Sequence, residues 1–230
     1  MDKAQKIPHG NDDINLILNE VANAKAVLII AHGAGASMHH HFLNSVVSAL
    51  NKLDISCVRF NFPYMDQGKK FPGNPNVNIA AWKSVLQWGL SYFQLPMFIC
   101  GKSYGGRMAS HLLAECSEFN VMGIMYLGFP LHAPGKPALN RANHLNLIAS
   151  PQLFFQGTND SLADFRLINQ VISSLPKSTL CSIEGADHSF KVKGKGIEQT
   201  INEIATNTLN WIEDILVQKN TNQVTKIDSK

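Results

Sequence analysis

From residue 26 onward, short apolar runs alternate with longer amphipathic stretches. The runs are residues 26–31, 55–60, 97–100, 121–127, 152–155 and 179–183, and most are nearly continuous in apolar residues. Strands buried on both faces read this way, as in a parallel sheet covered by helices. Residues 14–18 add one candidate strand ahead of them, so a sheet of six or seven strands is expected. The stretches between show helical spacing. Phe42, Val46, Leu50 and Leu53 share one face, and Ile79, Trp82, Leu86 and Phe93 share another. Met108, Leu112 and Cys116 mark a third helix. Ile197, Ile201, Ile204, Trp211 and Ile215 mark the last, with Thr208 the polar interruption. Residues 163–175 carry a weaker helical pattern. Strand–helix alternation predicts an α/β architecture with a mostly parallel, doubly wound sheet flanked by helices, one domain over residues 14–217. Residues 1–13 and 218–230 are polar and are expected to be flexible ends.

Composition narrows the function classes. The chain has 230 residues, 45% apolar and 16% charged, which excludes a disordered chain and is enough for one sizeable core. A net charge of +3 gives no footprint for nucleic acid. No apolar run approaches a membrane span. The first eleven residues lack the apolar core of a signal peptide, so a cytoplasmic location is expected. Cys57, Cys100 and Cys181 lie in strand-like runs and Cys116 on a helix face, without metal-ligand spacing, so buried reduced thiols are expected. His39, His40 and His41 point in different directions on a helix start and cannot close on one metal ion. Arg59 ends a strand and is expected to bridge loop carbonyls. The expected partner is a small-molecule substrate, with no cofactor, no metal, no nucleic acid and no membrane.

In doubly wound sheets, ligands sit beyond the C-terminal ends of the strands. After the run 97–100 come Gly101-Lys102-Ser103-Tyr104-Gly105-Gly106 and then a helix. G-x-S-x-G recurs by chance in roughly one chain in thirteen of this length. Its place between strand and helix gives it meaning. A sharp turn there exposes a serine hydroxyl at the sheet edge, with glycines on either side to avoid clashes. The amide of Tyr104, at the helix start, would face an oxyanion. A phosphate-binding loop needs Gly five positions before Gly101, where Pro96 stands. After the run 26–31 come His32-Gly33-Ala34-Gly35-Ala36-Ser37, the place of the second oxyanion donor, with Ala34 the candidate. A dinucleotide fingerprint there fails at Met38.

Asp160 follows the run 152–155 and His188 follows 179–183. The order Ser103, Asp160, His188 is that of this hydrolase chemistry: nucleophile, orienting acid, base. Asp164 is the rival acid, and Asp187 adjoins the base but points away from it. The stretch 119–159 holds no Asp or Glu, yet holds His132, Lys136, Arg141 and His144. With Lys69, Lys70, Lys102 and Arg107, and against Asp66, Glu184 and Asp187, a positive mouth favouring anionic substrates is expected. His32, Gly33, Lys102, His132 and Lys136 are candidate substrate contacts. The segment 129–150 carries Pro130, Pro134 and Pro137 and is too short for a large helical lid, so a minimal lid and an open site are expected.

These pieces resemble a known group. Gly101-Lys102-Ser103-Tyr104-Gly105-Gly106-Arg107-Met108-Ala109-Ser110 is similar to the elbow of α/β-hydrolases of the dienelactone-hydrolase-like kind. Arg59-Phe60-Asn61-Phe62-Pro63-Tyr64 and Gly128-Phe129-Pro130-Leu131-His132-Ala133-Pro134-Gly135-Lys136-Pro137 resemble testis-expressed-protein-like serine hydrolases, related to a hydrolase-like subunit of a eukaryotic histone acetyltransferase complex. The resemblance covers about residues 25–211. It implies an α/β-hydrolase fold with Ser103, Asp160 and His188 as triad. Dienelactone hydrolases proper use a cysteine nucleophile, and Ser103 stands there instead. The expected activity is cleavage of an ester or thioester through an acyl-enzyme, rising with pH through the ordinary histidine range, about 6.5–7. The alternatives are a silent scaffold of the same fold and an acyltransferase using the same residues.

Overall fold

In the computed structural model, which describes residues 2–227, all six apolar runs are strands of one eight-stranded sheet. The strands are β1 (Lys3–His9), β2 (Asp12–Asn19), β3 (Ala26–Ala31), β4 (Ile55–Phe60), β5 (Met97–Lys102), β6 (Gly123–Leu127), β7 (Gln152–Gly157) and β8 (Ser178–Ile183). Their order is β1-β2-β4-β3-β5-β6-β7-β8. From β4 to β8 all neighbours are parallel, while β2 runs antiparallel to both β4 and β1. Every residue of β3, β4, β6 and β7 is buried. That is why these runs show no alternation in the sequence.

Helices cover both faces. They are α1 (His41–Asn51), α2 (Pro63–Asp66), α3 (Pro75–Tyr92), α4 (Tyr104–Glu115), α5 (Phe165–Ser174) and α6 (Ile197–Ile227). Successive strand residues point to opposite faces. Leu28, Ile30, Phe98, Met125 and Phe155 therefore pack with α1 and α6, through Phe42, Val46, Ile201 and Ile204. Ile29, Val58, Ile99, Tyr126 and Phe154 pack with α3, α4 and α5, through Trp82, Leu86, Met108, Leu112 and Ile168. Thr208, the polar member of the α6 stripe, is buried and donates to the Ile204 carbonyl at 2.7 Å. Among the described residues no helix is long and apolar enough to cross a membrane.

The termini correct the sequence reading. Residues 3–9, expected to be flexible, form edge strand β1 and pair with β2 from Lys3↔Leu18 to His9↔Asp12. Ile7 is the one fully buried side chain in β1, and Pro8 sits in it, so neither periodicity nor propensity announces a strand. At the other end α6 continues past residue 217 to Ile227; residues 228–230 lie outside the described part. Arg59 bridges as expected. It is buried, donates to the Met38 carbonyl at 3.1 Å and to Asn19 at 3.0 Å, and also bonds Asn44. Cys57 and Cys100 are buried, Cys116 and Cys181 half-buried, and all four are free thiols. Burial pushes Cys57 up to about 12, so that thiol stays protonated.

Candidate active site

The turn from β5 into α4 is sterically dictated. Ser103 has φ 49° and ψ −113°, a conformation that L side chains rarely adopt. A Cβ on Gly101 would stand 2.0 Å from the Gly106 nitrogen, and one on Gly105 2.6 Å from the His32 carbonyl. Only glycine lets the strand, the helix start and the neighbouring β3 loop approach this closely. Trp82 Nε1 on α3 donates to the Gly105 carbonyl at 3.0 Å and ties the turn to the helix layer. The Ser103 amide donates to the Leu127 carbonyl at 3.1 Å.

The three expected residues come together at the C-terminal edge of the sheet. His188 Nε2 lies 2.8 Å from Ser103 Oγ, and His188 Nδ1 lies 2.7 Å from Asp160 Oδ2. The Asp160 carboxylate can only accept from Nδ1–H unless protonated, so the neutral ring keeps Nε2 as acceptor for the serine hydroxyl. The Asp160 side chain is fully buried while that of His188 is 23% exposed. Two further donors satisfy the buried carboxylate: Gln156 Nε2 at 2.6 Å and the Leu162 amide at 2.8 Å. Gln156 in turn accepts from the Phe129 amide at 3.0 Å. Sequence reasoning gave Gln156 no role; an uncharged polar residue directly after an apolar run and four positions before Asp160 was the available signal. Asp164, the rival acid, caps α5 instead, accepting from the Leu167 amide at 3.0 Å. Asp187 accepts from the Ser189 and Lys191 amides at 2.8 and 2.9 Å, which shapes the loop that carries His188.

A model for the "Alpha/beta hydrolase domain" matches residues 24–213. The chain belongs to that family. Among solved structures, this α/β-hydrolase domain resembles an alpha-beta serine hydrolase homologue from Coxiella burnetii, 19% identical over 90% of this chain and 97% of that one, TM-score 0.73. It also resembles a dienelactone hydrolase from Anabaena variabilis, 17% identical over 93% and 97%, TM-score 0.75. A third likeness is a serine hydrolase without lid from Xanthomonas campestris, 16% identical over 93% and 94%, TM-score 0.73. At these identities the likeness shows the fold.

Other candidate residues of the α/β-hydrolase domain fall into two groups. Gly33 stays at the site: a Cβ on it would lie 3.6 Å from Ser103 Cβ, so the loop carrying Ala34 runs against Ser103. Tyr104 heads α4, and its hydroxyl accepts from Asn78 Nδ2 at 2.9 Å. Three of the five expected substrate contacts, His32, His132 and Lys102, are corrected: their side chains are engaged internally. His32 is fully buried, bonded to the Gly33 carbonyl at 2.8 Å and accepting from the Phe62 amide at 3.1 Å; burial lowers it to about 4. His132 is also buried, held between the Ala133 carbonyl and the Asp164 amide. Lys102 turns inward and donates to the His188 carbonyl at 2.7 Å. Lys136 is exposed in a turn closed by its own amide on the Ala133 carbonyl.

The mouth is open. Segment 129–150 holds two short 3-10 turns, Asn140–Ala142 and Leu145–Leu147, and no lid helix. A cavity of about 700 Å³ lies beside the β1–β2 hairpin, walled by Leu16, Met38, Asn61 and Asp66, and touches none of Ser103, Asp160 and His188. The hydrogen-bonded chain of Ser103, His188 and Asp160, rather than concavity, locates the chemistry.

Proposed function

We propose that this protein is a serine hydrolase that cleaves ester or thioester bonds through an acyl-enzyme on Ser103. The observation that carries the reading is the unbroken Ser103–His188–Asp160 chain, at 2.8 and 2.7 Å, on a serine with φ 49°. Ser103 Oγ attacks the carbonyl carbon and His188 Nε2 takes its proton. The oxyanion lies against the amides of Tyr104 and Ala34. His188 returns the proton to the leaving alcohol or thiol as that bond breaks. A water, deprotonated by His188, then releases the acid and restores Ser103. Three side chains, two main-chain amides and water supply the groups this sequence of steps uses. An uncovered mouth suits small acyl groups that need no interfacial activation.

Fluorophosphonate labelling read by intact mass is the test, with wild type beside Ser103→Ala and His188→Ala. The wild type alone should gain one adduct. An unlabelled, folded wild type would refute the reading.

The reading extends to small anionic substrates. His132, His144 and Lys102 are engaged in internal contacts, and His144 sits 2.7 Å from Ser110 Oγ. Lys69, Lys70 and Lys136 remain exposed. Rates on an anionic and a neutral ester across a salt series should diverge; parallel curves would remove this extension.

A further inference from the structure

Lys102 is the residue before the proposed nucleophile, and its half-buried side chain is not a member of the triad. It ends β5, with its backbone joined to Ser103 and its ammonium on the main-chain carbonyl of His188 at 2.7 Å. The same nitrogen stands 5.3 Å from the centre of the Phe190 ring. Phe190 is itself held in a left-handed conformation, φ 62°, and stacks on Phe42 of α1 at 5.5 Å. Room for the ammonium comes from Gly128: a Cβ there would lie 3.3 Å from Nζ and 3.5 Å from the His188 ring. One rigid strand end therefore fixes both partners of the bond between Ser103 and His188, the nucleophile through the backbone and the base through a side chain.

We propose that Lys102 is a positioning residue for the hydrolysis inferred above, holding the His188 loop so that the imidazole spans Ser103 and Asp160. The inference rests on that reading. A loop histidine that drifts by about 1 Å loses much of its catalytic effect. The groups that face the ammonium are Asp160 and Asp187, which favour its charge, and His188, His40, His41 and Lys191 around it. Burial outweighs the two carboxylates and lowers Lys102 to about 8. Above that pH the ammonium is lost and the charge-assisted bond to the carbonyl weakens.

The experiment compares wild type, Lys102→Met and Lys102→Arg by fluorophosphonate labelling rate from pH 6 to 10, and by the downfield proton resonance of His188 Nδ1–H. Wild type should show the resonance and lose rate above pH ~8. Lys102→Met should label about 10-fold or more slowly at pH 7, lose the resonance, and keep KM for p-nitrophenyl acetate within about 3-fold. Lys102→Arg, whose guanidinium stays charged, should keep the resonance and move the alkaline decline above pH ~10. A folded Lys102→Met with wild-type labelling and an intact resonance overturns the proposal. If that variant does not fold, an alkaline decline unmoved in Lys102→Arg overturns it. An unlabelled wild type refutes the hydrolase reading instead, and the resonance comparison still decides the role of Lys102.

Discussion

Replacing Gln156 by leucine tests how Asp160, the proposed triad acid, is held. Gln156 is fully buried, and its amide links Asp160 Oδ2 at 2.6 Å to the Phe129 amide at 3.0 Å. Leucine fills similar space and makes neither bond. The bond to a carboxylate contributes about 2 kcal/mol and the neutral one about 1, and the Phe129 N–H is left without a partner in the interior. The expected loss is roughly 3 kcal/mol, a large share of a typical stability of about 5–15. For a chain of this size that is a fall in Tm of roughly 6–12 °C. Asp160 keeps the Leu162 amide and His188, so activity should fall about 10-fold rather than vanish. Thermal unfolding and ester hydrolysis at pH 7 measure both effects. A Tm within about 2 °C of wild type together with unchanged kcat would show that Gln156 neither braces Asp160 nor satisfies Phe129.

Acid should destabilise the fold through His32. Its folded value, about 4 against an ordinary 6.5, means that the unfolded chain binds the proton first, so stability is lost as pH falls from 6.5 to 4. The full difference is roughly 3 kcal/mol; urea titrations at pH 7 and 4.5 should show most of it, and Asn in place of His32 should flatten the slope. Ser103→Gly should abolish fluorophosphonate labelling yet raise stability by about 1 kcal/mol, because glycine accepts φ 49° without strain; an unchanged or lower Tm would count against strain at the elbow. Gly105→Ala should fail to give a stable protein, since its Cβ would meet the His32 and Ala31 carbonyls at 2.6 and 2.7 Å; a well-folded variant by circular dichroism would contradict the packing described. Asp160→Asn should cost orders of magnitude in rate while Asp164→Ala costs a helix cap worth about 1 kcal/mol and little rate.

The central strands and the meeting of Ser103, Asp160 and His188 were legible because they depend on local signals. Continuous apolar runs mark β3 to β7, and each of Ser103, Asp160 and His188 follows its own strand within a few residues. What was not legible depends on partners distant in sequence. His32 is taken inward by the Phe62 amide thirty residues away, and Lys102 by a carbonyl eighty-six residues away. Both read as substrate contacts because position, and for Lys102 charge, is visible in a sequence while side-chain direction is not. Strand β1 was missed because an edge strand needs little apolar surface; its pairing with β2 comes from backbone groups that every residue carries.

Strand β8 closes the sheet at one edge, paired only with β7, and most of its residues are half-buried or exposed. The loop that leaves it carries His188. The proposed base is thus mounted on a part of the sheet with comparatively few apolar contacts, while the proposed nucleophile and acid follow the interior strands β5 and β7. Local opening of such an edge costs less than global unfolding. Mild denaturant should therefore silence Ser103 while the central sheet is still intact, and serine reactivity becomes a sensor of that edge rather than of the fold.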